Sequence, residues 1–335
     1  MNPMRNFPFF VPHAGCPNCC VFCSQTKITG EKCEKDINTE LAELRNMLDA
    51  VKDGNENDRI AFFGGSFTAI AYERMTTLLE TANEYIKQGV AGGIRISTRP
   101  DCIDSEILGV LKKYNVTNIE IGVQSVDDRV LASSARGHSA EDSYKAAELI
   151  TKNGFVLCGQ MMIGLPDSDL ESELSTAKAI CAMGASEARI YPTVVFEDTE
   201  LLSMTERGEY KPLSLDEAVE RSAKCYRVFL EAGVKLLRIG LHSSENLKNA
   251  PYGANHAAIG ELVKSRVYTD IICEAAGDCR GKRIIIGIRK EDISMLCGHK
   301  GSAIKRLKEQ TGCADVEIVG SELEQFCPTV RIRSV

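Results

Sequence analysis

Residues 93–125 read GIRISTRPDCIDSEILGVLKKYNVTNIEIGVQS and contain the pattern from which we infer the fold. The runs GIRIST (93–98) and IEIGVQS (119–125) are β-like, because short apolar runs bounded by turn residues favour strands. A helical pattern lies between them near 104–114, and Asp104 stands where a helix N-cap is expected. A strand, a helix and a second strand at this spacing predict one unit of a parallel sheet with a covering helix.

The same alternation runs through most of the 335-residue chain. Further β-like runs are FPFFV (7–11), IAFF (60–63), FVLCGQMMIGLP (155–166) and ARIYPTVV (188–195), with KLLRIGLH (235–242) as a seventh candidate. Helical patterns separate them near 37–51, 71–88, 139–153, 169–183 and 214–231. Six or seven such units predict an α/β fold, a partial parallel barrel of the (β/α)6 type. Functional residues of such folds collect at the C-terminal ends of the strands.

The last part of the chain has a different character. Residues 243–279 read as irregular, and the block after them contains a strand RIIIGI (283–288), a GHKG loop (298–301), a helix (302–312) and β-like runs at 315–319 and 329–335. Residues 280–312 include nine Lys or Arg and three Asp or Glu, a net charge of +6. We therefore predict a barrel domain with an extension over 1–274 and a small α+β module over 275–335.

Composition excludes several classes of protein. The net charge of −7 excludes a uniformly basic nucleic-acid binder but leaves room for a local basic surface. No apolar run reaches the roughly 18 residues of a membrane span, and the N-terminus lacks the cationic start and apolar stretch of a signal peptide. We expect a cytoplasmic protein without a membrane partner.

Four of the 14 cysteines lie close together in PHAGCPNCCVFCSQ (12–25), namely Cys16, Cys19, Cys20 and Cys23. The two CxxC pairs follow each other directly, and one short loop can hardly place all four thiolates around a zinc ion. A redox site needs a single CxxC pair and would use only two of the four thiols. Three thiolates at CxxxCxxC suit an iron–sulfur cluster that keeps one iron open. Iron–sulfur, zinc and redox chemistry all remain open at this point.

Glycines and hydroxyls follow two of the predicted strands. FFGGSFT (62–68) places Gly64 and Gly65 at a strand end, where they allow close approach of a ligand or form a plain turn. RISTRPD (95–101) places the hydroxyls of Ser97 and Thr98 at the end of the next strand, where a ribose fits. The alternative for this second motif is a strand terminus before a capped helix.

Isolated polar residues mark the later strands. Gln124 lies in an apolar run, and a buried amide needs a hydrogen-bond partner. Arg136, in SARGH (134–138), is placed to bind a ligand carboxylate, with a surface ion pair as the alternative. Gln160 lies six residues before Pro166. Tyr191 and His242 are candidates to face a substrate, and buried structural side chains are the alternative for both.

The cysteine motif carries a resemblance to a known family. CxxxCxxC with Phe22 before its last cysteine resembles the signature of the radical S-adenosylmethionine superfamily, and PHxGCPxxCxFCxQ is similar to its Elongator catalytic-subunit-like branch. The resemblance implies a radical SAM barrel in which Cys16, Cys20 and Cys23 hold a [4Fe–4S] cluster. It also implies that Phe22 lies against the adenine of S-adenosylmethionine and that Cys19 is not a ligand.

The resemblance extends over about residues 10–270. It implies that the coenzyme pocket is lined by Gly64, Gly65, Ser97, Thr98, Gln124, Arg136 and Gln160. Oxygen-independent coproporphyrinogen oxidases have similar positions but carry acidic residues where this chain has Ser97 and Gln160, whereas STRPD, GxQS and SxRGH fit the Elongator-like branch. No acetyltransferase domain follows here, so we expect no acetyl-dependent uridine modification unless a second protein supplies it.

The resemblance implies an enzyme that reductively cleaves S-adenosylmethionine to a 5′-deoxyadenosyl radical, with an electron donor such as a flavodoxin or ferredoxin. The C-terminal block resembles a KH module, whose Gly-x-x-Gly loop clamps nucleotides; here Gly298, His299, Lys300 and Gly301 form that loop. We therefore predict modification of RNA, with tRNA as the expected substrate. A radical enzyme acting on a small molecule and a non-enzymatic RNA-binding metalloprotein are the alternatives.

Overall fold

The computed structural model describes residues 4–11, 20–24, 35–297 and 301–334. Seven strands form one sheet in the order β1-β2-β3-β4-β5-β6-β8, and every neighbouring pair is parallel. These strands are β1 (Asn6–Val11), β2 (Asn55–Gly64), β3 (Ala91–Thr98), β4 (Val116–Gln124), β5 (Val156–Ile163), β6 (Glu187–Pro192) and β8 (Lys235–Ile239). The sheet has β1 and β8 at its two edges, as in an open barrel. The predicted α/β fold and partial barrel are confirmed.

Helices cover the outer face of this sheet. They are α1 (Ile37–Asp49), α2 (Tyr72–Lys87), α3 (Ser105–Lys113), α5 (Ala140–Lys152), α6 (Leu170–Ala182) and α8 (Leu215–Glu231). The short helices α4 (Asp128–Ser133) and α7 (Glu200–Glu206) lie outside this core, and α7 packs through Leu201 against Val21 and Val195. Side chains alternate along each strand, so Ile94 and Ile96 of β3 face the helices while Arg95 faces the inside of the barrel. Burial of the outer apolar face stabilises the barrel, and the inner face is left to polar groups.

Two predicted strands are shorter than expected. The run 155–166 stops at Ile163, because Gly164 has a φ of +78° and its backbone groups leave the sheet. Its N–H donates to Glu173 Oε1 at 2.7 Å, and its carbonyl accepts from the Tyr210 hydroxyl at 2.6 Å. The run 188–195 breaks after Pro192, and β7 (Val194–Val195) pairs with β9 (Tyr252–Gly253) in a separate ribbon.

The prediction of an irregular segment over 243–279 was wrong. It contains α9 (Glu245–Lys248) and the 18-residue α10 (Ile259–Ala276). This long helix packs against α8 on one side and against the C-terminal module on another, so apolar residues occur around much of its circumference. Such a helix shows no single apolar stripe in its sequence, which is the signal on which a helix prediction depends. Gly260 is tolerated because it lies in the first turn.

The C-terminal module has the predicted α+β composition. Its central strand β10 (Lys282–Arg289) pairs parallel with β11 (Asp315–Ser321) and antiparallel with β12 (Thr329–Ser334). Helices α11 (Ile293–Cys297) and α12 (Ser302–Thr311) pack against α10. The predicted division at residue 275 falls in the last turn of α10, and the separation into two domains stays a prediction. None of the described helices is long and apolar enough to cross a bilayer.

A buried tyrosine joins the module to the barrel. The Tyr268 hydroxyl donates to Asp292 Oδ2 at 2.5 Å and accepts from the Phe326 N–H at 2.8 Å. The Phe326 ring lies 4.6 Å from that of Tyr268 and 5.2 Å from that of Tyr226, measured between centroids. Burial alone would raise the pKa of Asp292, but hydrogen bonds from Arg289 and Tyr268 hold this pKa below its usual range.

Replacement of Tyr268 by Phe tests this junction. The Y268F variant leaves the buried Asp292 and the Phe326 N–H each short of one partner, so we expect the free energy of unfolding to fall by about 1–3 kcal/mol. Urea denaturation followed by circular dichroism measures it. Tyr144→Phe is the matched control, because the Tyr144 side chain is exposed on α5. An equal stability of Y268F and wild type would contradict the importance of this junction.

Candidate functional site

The described part of the cysteine loop, residues 20–24, lies against the C-terminal end of the barrel. The Val21 N–H donates to the Ser134 carbonyl at 3.1 Å, and the Val21 carbonyl accepts from the Leu201 N–H at 2.8 Å. Phe22 is half-buried and packs on the small apolar cluster around Val21. Two predicted cluster ligands are in this segment: Cys20 is buried and Cys23 is half-buried. Cys16 and Cys19 lie outside the described residues.

Arg136 links the cysteine loop to the sheet. Its Nη1 donates to Cys20 Sγ at 3.5 Å and its Nη2 donates to the Gly122 carbonyl of β4 at 2.9 Å. A Cβ on Gly122 would lie 2.6 Å from Arg136 Nη2, so a larger residue at this position would push the guanidinium away from the strand. Arg99 supports the arrangement from behind, because its Nη1 donates to the Arg136 carbonyl at 2.7 Å while Asp101 holds its other nitrogens.

Buried polar atoms without partners surround Arg136. The Gln124 side chain is 9 % exposed, and no described residue gives its Oε1 a hydrogen bond. Arg136 Nε and His138 Nδ1 also find no partner among the described residues. Buried polar atoms are nearly always paired, so this group of three is available to hydrogen-bond a polar ligand. Gln124 has a φ of +63°, an unusual conformation for a non-glycine residue that directs its side chain away from the regular strand.

The electrostatics of this end of the barrel are positive. Arg136 is 7 % exposed, and none of the described carboxylates forms an ion pair with it. Burial first, and then the positive charges of Arg136 and Arg99, lower the pKa of His138 to about 4. Its Nε2 lies 3.3 Å from the Val123 carbonyl, so the neutral ring donates there and keeps Nδ1 as an acceptor. The site therefore offers an unbalanced cation to a negatively charged group.

The end of β2 is shaped by two glycines. Gly64 has a φ of +118°, and a Cβ there would lie 2.7 Å from the Val11 carbonyl of the neighbouring strand. The Gly65 N–H donates to the same carbonyl at 3.1 Å. Glycine is thus required by the approach of β1 to β2 at this point, next to the coenzyme site that the sequence predicts. Gly64 therefore has a structural reason of its own.

The other residues predicted to line the coenzyme pocket lie in two places. The hydroxyl of Thr98, the last residue of β3, lies 2.6 Å from that of Thr68, in the turn that follows β2. Gln160 and Ser97 lie on the inner face of the barrel, where Gln160 Nε2 donates to Ser97 Oγ at 3.2 Å and to Glu120 Oε2 at 2.7 Å. Of the predicted RNA-binding loop, Gly301 is described, with a φ of +75° just before α12, and residues 298–300 lie outside the described part.

A charged network inside the barrel is absent from the residues predicted above to be functional. Glu120 Oε1 accepts from Arg95 Nη1 at 2.8 Å and from Arg189 Nη2 at 2.9 Å, and all three side chains are buried. The sequence contains a signal for this network, because Arg95, Glu120 and Arg189 interrupt apolar runs that are typical of buried strands. Charged groups at such positions are stable only when they are paired, and pairing across three strands fixes the inner shape of the barrel.

Comparison with protein families agrees with this geometry. The family model for the radical SAM superfamily matches residues 10–180, and that for the radical SAM C-terminal domain matches residues 185–269. An uncharacterized protein of Methanocaldococcus jannaschii is 31 % identical over 210 residues, 59 % of this chain and 64 % of its own length. A tRNA uridine(34) acetyltransferase of the same organism is 37 % identical over 128 residues, 37 % of this chain and 24 % of its own length. This chain thus spans less than two thirds of these relatives.

Solved structures share the fold. The archaeal Elp3 of Methanocaldococcus infernus, lacking residues 1–46, has a TM-score of 0.62 and 22 % identity, covering 81 % of this chain and 64 % of its own. Streptococcus suis SuiB bound to S-adenosylmethionine has a TM-score of 0.52 and 13 % identity, covering 74 % of this chain and 52 % of its own. The family match spans half of the chain, and the open parallel barrel is the fold of both structures. The chain belongs to the radical SAM superfamily and is an enzyme of that class.

Proposed function

We propose that this enzyme cleaves S-adenosylmethionine reductively at a [4Fe–4S] cluster held by Cys16, Cys20 and Cys23, and that it modifies an RNA. The single observation that carries the first part is the buried, unbalanced charge of Arg136 in contact with Cys20 Sγ. A buried cation requires an anionic partner, and cluster thiolates or a coenzyme carboxylate supply one. A zinc site or a dithiol pair would leave the unpaired Gln124 and His138 atoms unexplained.

The residues present fit both groups. Cys20 and Cys23 offer thiolates for the cluster, and the unpaired atoms of Gln124, Arg136 and His138 offer polar contacts to the coenzyme. When bound, the cluster and coenzyme supply a one-electron cleavage that yields a radical able to take hydrogen from a substrate. The chain's own residues position that chemistry: Arg136 balances negative charge, and Gly122 admits its guanidinium.

The inner wall of the barrel is built from side chains that are held in place. Three charged side chains of this wall cannot move freely, because each is buried and hydrogen-bonded: Arg95, Glu120 and Arg189. Inner side chains held this firmly keep a bound substrate in one orientation. We also propose that a protein such as a flavodoxin or ferredoxin donates the electron, and that the enzyme is cytoplasmic.

An RNA substrate, with tRNA as our first choice, is favoured by the C-terminal module. Residues 280–312 carry a net charge of +6, and the module has the order strand, helix, Gly-x-x-Gly loop, helix, strand, strand that suits a KH-like unit over 275–335. Lys305 and Lys308 lie exposed on α12, directly after the loop. A relative named for its action on a tRNA uridine points to the same class of substrate.

Formation of 5′-deoxyadenosine tests the coenzyme chemistry. The protein is purified without oxygen, reconstituted with iron and sulfide, reduced with dithionite and mixed with S-adenosylmethionine. We expect product from wild type and from Cys19→Ala, and a loss of at least a hundredfold in Cys20→Ala, because each cluster thiolate bonds an iron. Stoichiometric zinc without product, or a Cys19→Ala variant that fails as Cys20→Ala does, would contradict the ligand assignment.

Binding of unmodified tRNA by the full chain tests the RNA substrate. Removing a lysine that binds a phosphate lowers both the affinity and its salt dependence, so the double variant K305E/K308E is expected to bind about tenfold more weakly at 100 mM salt, with a smaller slope against salt concentration. Lys145→Glu, an exposed lysine on α5 of the barrel, is the matched control. Electrophoretic mobility shift measures both quantities. If the double variant and the control bind tRNA with equal affinity, the module does not take part in RNA recognition.

A further inference from the structure

The sheet of the C-terminal module is packed on one face only. Ile284 and Ile286 of β10 are buried against the helices. Side chains alternate along a strand, so Arg283 and Ile285 project to the opposite side, here called the outer sheet face. Val319 of β11 lies on this face and is 42 % exposed. A solvated sheet face is common, so the pattern of its charges decides whether it suits a partner.

The two edge strands of the outer sheet face carry opposite charges. Asp315 and Glu317 form an acidic stripe on β11, and Arg331 and Arg333 form a basic stripe on β12. The register places Asp315 and Arg333 at the level of Arg283, on either side of β10. Glu317 and Arg331 are placed in the same way two residues further along β10. The two stripes therefore run side by side, separated by two strand spacings, about 10 Å.

Both stripes can accept an outside partner. Arg283 Nε lies 3.0 Å from Asp315 Oδ2, and Arg283 Nη1 lies 3.8 Å from Glu317 Oε2. The two carboxylate side chains are nevertheless 47 % and 50 % exposed. Arg331 and Arg333 are exposed, and no carboxylate of the described residues forms an ion pair with them. The basic stripe is therefore unpaired within the described chain, and the acidic stripe is only partly paired.

A two-fold axis parallel to β10 makes the outer sheet face complementary to itself. Rotation about such an axis lays a second sheet over the first and exchanges left and right, so each acidic stripe lies over the basic stripe of the other copy. Heights along the strands are kept, apart from the crossing angle of about 30° that sheet twist imposes. Asp315 then faces Arg333 of the second copy, and Glu317 faces its Arg331. An axis across the strands would instead lay like charges on each other.

The centre of the outer sheet face also suits a second copy. Ile285 is half-buried and lies between the stripes, and Val319 adds a second apolar side chain. Gly287 lies at the level of Val319 and Thr329 and has no side chain, which leaves a shallow hollow between them. Arg283 is the one like-charged contact near the axis, but its ion pairs draw its guanidinium toward β11 and away from the axis.

We propose that a second copy of this chain binds the outer sheet face, which gives a two-fold dimer joined through the C-terminal modules. This inference goes beyond the proposed function and requires neither cluster nor coenzyme. RNA fits the face less well, because its phosphates would lie against the acidic stripe. Three strands of about seven residues measure about 14 Å by about 23 Å, which is small beside the roughly 800 Å² that each partner of a stable interface buries. The dimer is therefore reversible and sensitive to salt.

Sedimentation equilibrium of the full chain in reducing buffer tests the dimer. We expect the mass to rise toward that of a dimer with concentration at about 50 mM salt, and the dissociation constant to increase at least tenfold at about 500 mM salt, because salt screens exposed charges. The variant R331E/R333E lays acidic stripes on each other and should raise the constant at least tenfold at low salt. The matched control K305E/K308E makes the same change of charge on α12, on the helix side of the sheet, and should dimerise as wild type does.

Mixing two charge-reversed variants tests the arrangement itself. R331E/R333E carries two acidic stripes and D315K/E317K carries two basic ones, so neither should dimerise alone. An equimolar mixture should form a mixed dimer, because every stripe then lies over one of opposite charge. Recovery on mixing also shows that both variants are folded, and urea denaturation followed by circular dichroism checks each variant separately.

Several results would contradict the proposal. A wild-type chain that stays monomeric at about 200 µM and low salt has no such dimer. A dimer that R331E/R333E leaves intact uses another surface, and folded variants that do not recover on mixing exclude the two-fold arrangement. If R331E/R333E weakens tRNA binding while the wild type is monomeric, the basic stripe is an RNA surface instead. None of these results alters the formation of 5′-deoxyadenosine, which tests the proposed function separately.

Discussion

The contact between Arg136 and Cys20 is the constraint on which the candidate site depends. One guanidinium reaches both the Gly122 carbonyl of the sheet and the sulfur of the cysteine loop. Arg99 holds the backbone of Arg136 from the opposite side, and Asp101 in turn holds Arg99. The cysteine loop is thus attached to the strand ends by Arg136, whose position is in turn held by Arg99. A cluster carried by this loop would lie at the mouth of the barrel.

The charge of Arg136 is the reason why we propose a ligand for this site. Other buried arginines of this barrel have carboxylate partners: Glu120 and Glu187 pair with Arg95, and Glu120 also pairs with Arg189. Arg136 has none among the described residues, although it is equally buried. Within the described ranges, carboxylates balance the arginines deep in the barrel, whereas the arginine at the mouth has no such partner. That difference separates a structural network from a binding site.

Much of the fold was predictable because its periodic signals are local. Every strand of the large sheet coincides with a β-like run, and Asp104 and Ser139 cap helices as their positions predicted. The helix α10 was not predictable, because contacts on several sides remove the apolar stripe that marks a surface helix.

The candidate site was predictable only in part. The cysteine spacing pointed to the chemistry, but pairing between distant residues, such as Arg136 with Cys20, cannot be read from a pattern.

The most direct test of this account is the midpoint potential of the reconstituted cluster, followed by electron paramagnetic resonance. If the Arg136 guanidinium donates to a cluster thiolate, it stabilises the more negative, reduced cluster. Arg136→Met should then make the potential more negative, on the order of 60 mV for a charged hydrogen bond of about 1.4 kcal/mol. Arg129→Met, on the exposed surface of α4, should leave it unchanged. An Arg136→Met cluster with the wild-type potential would contradict the account.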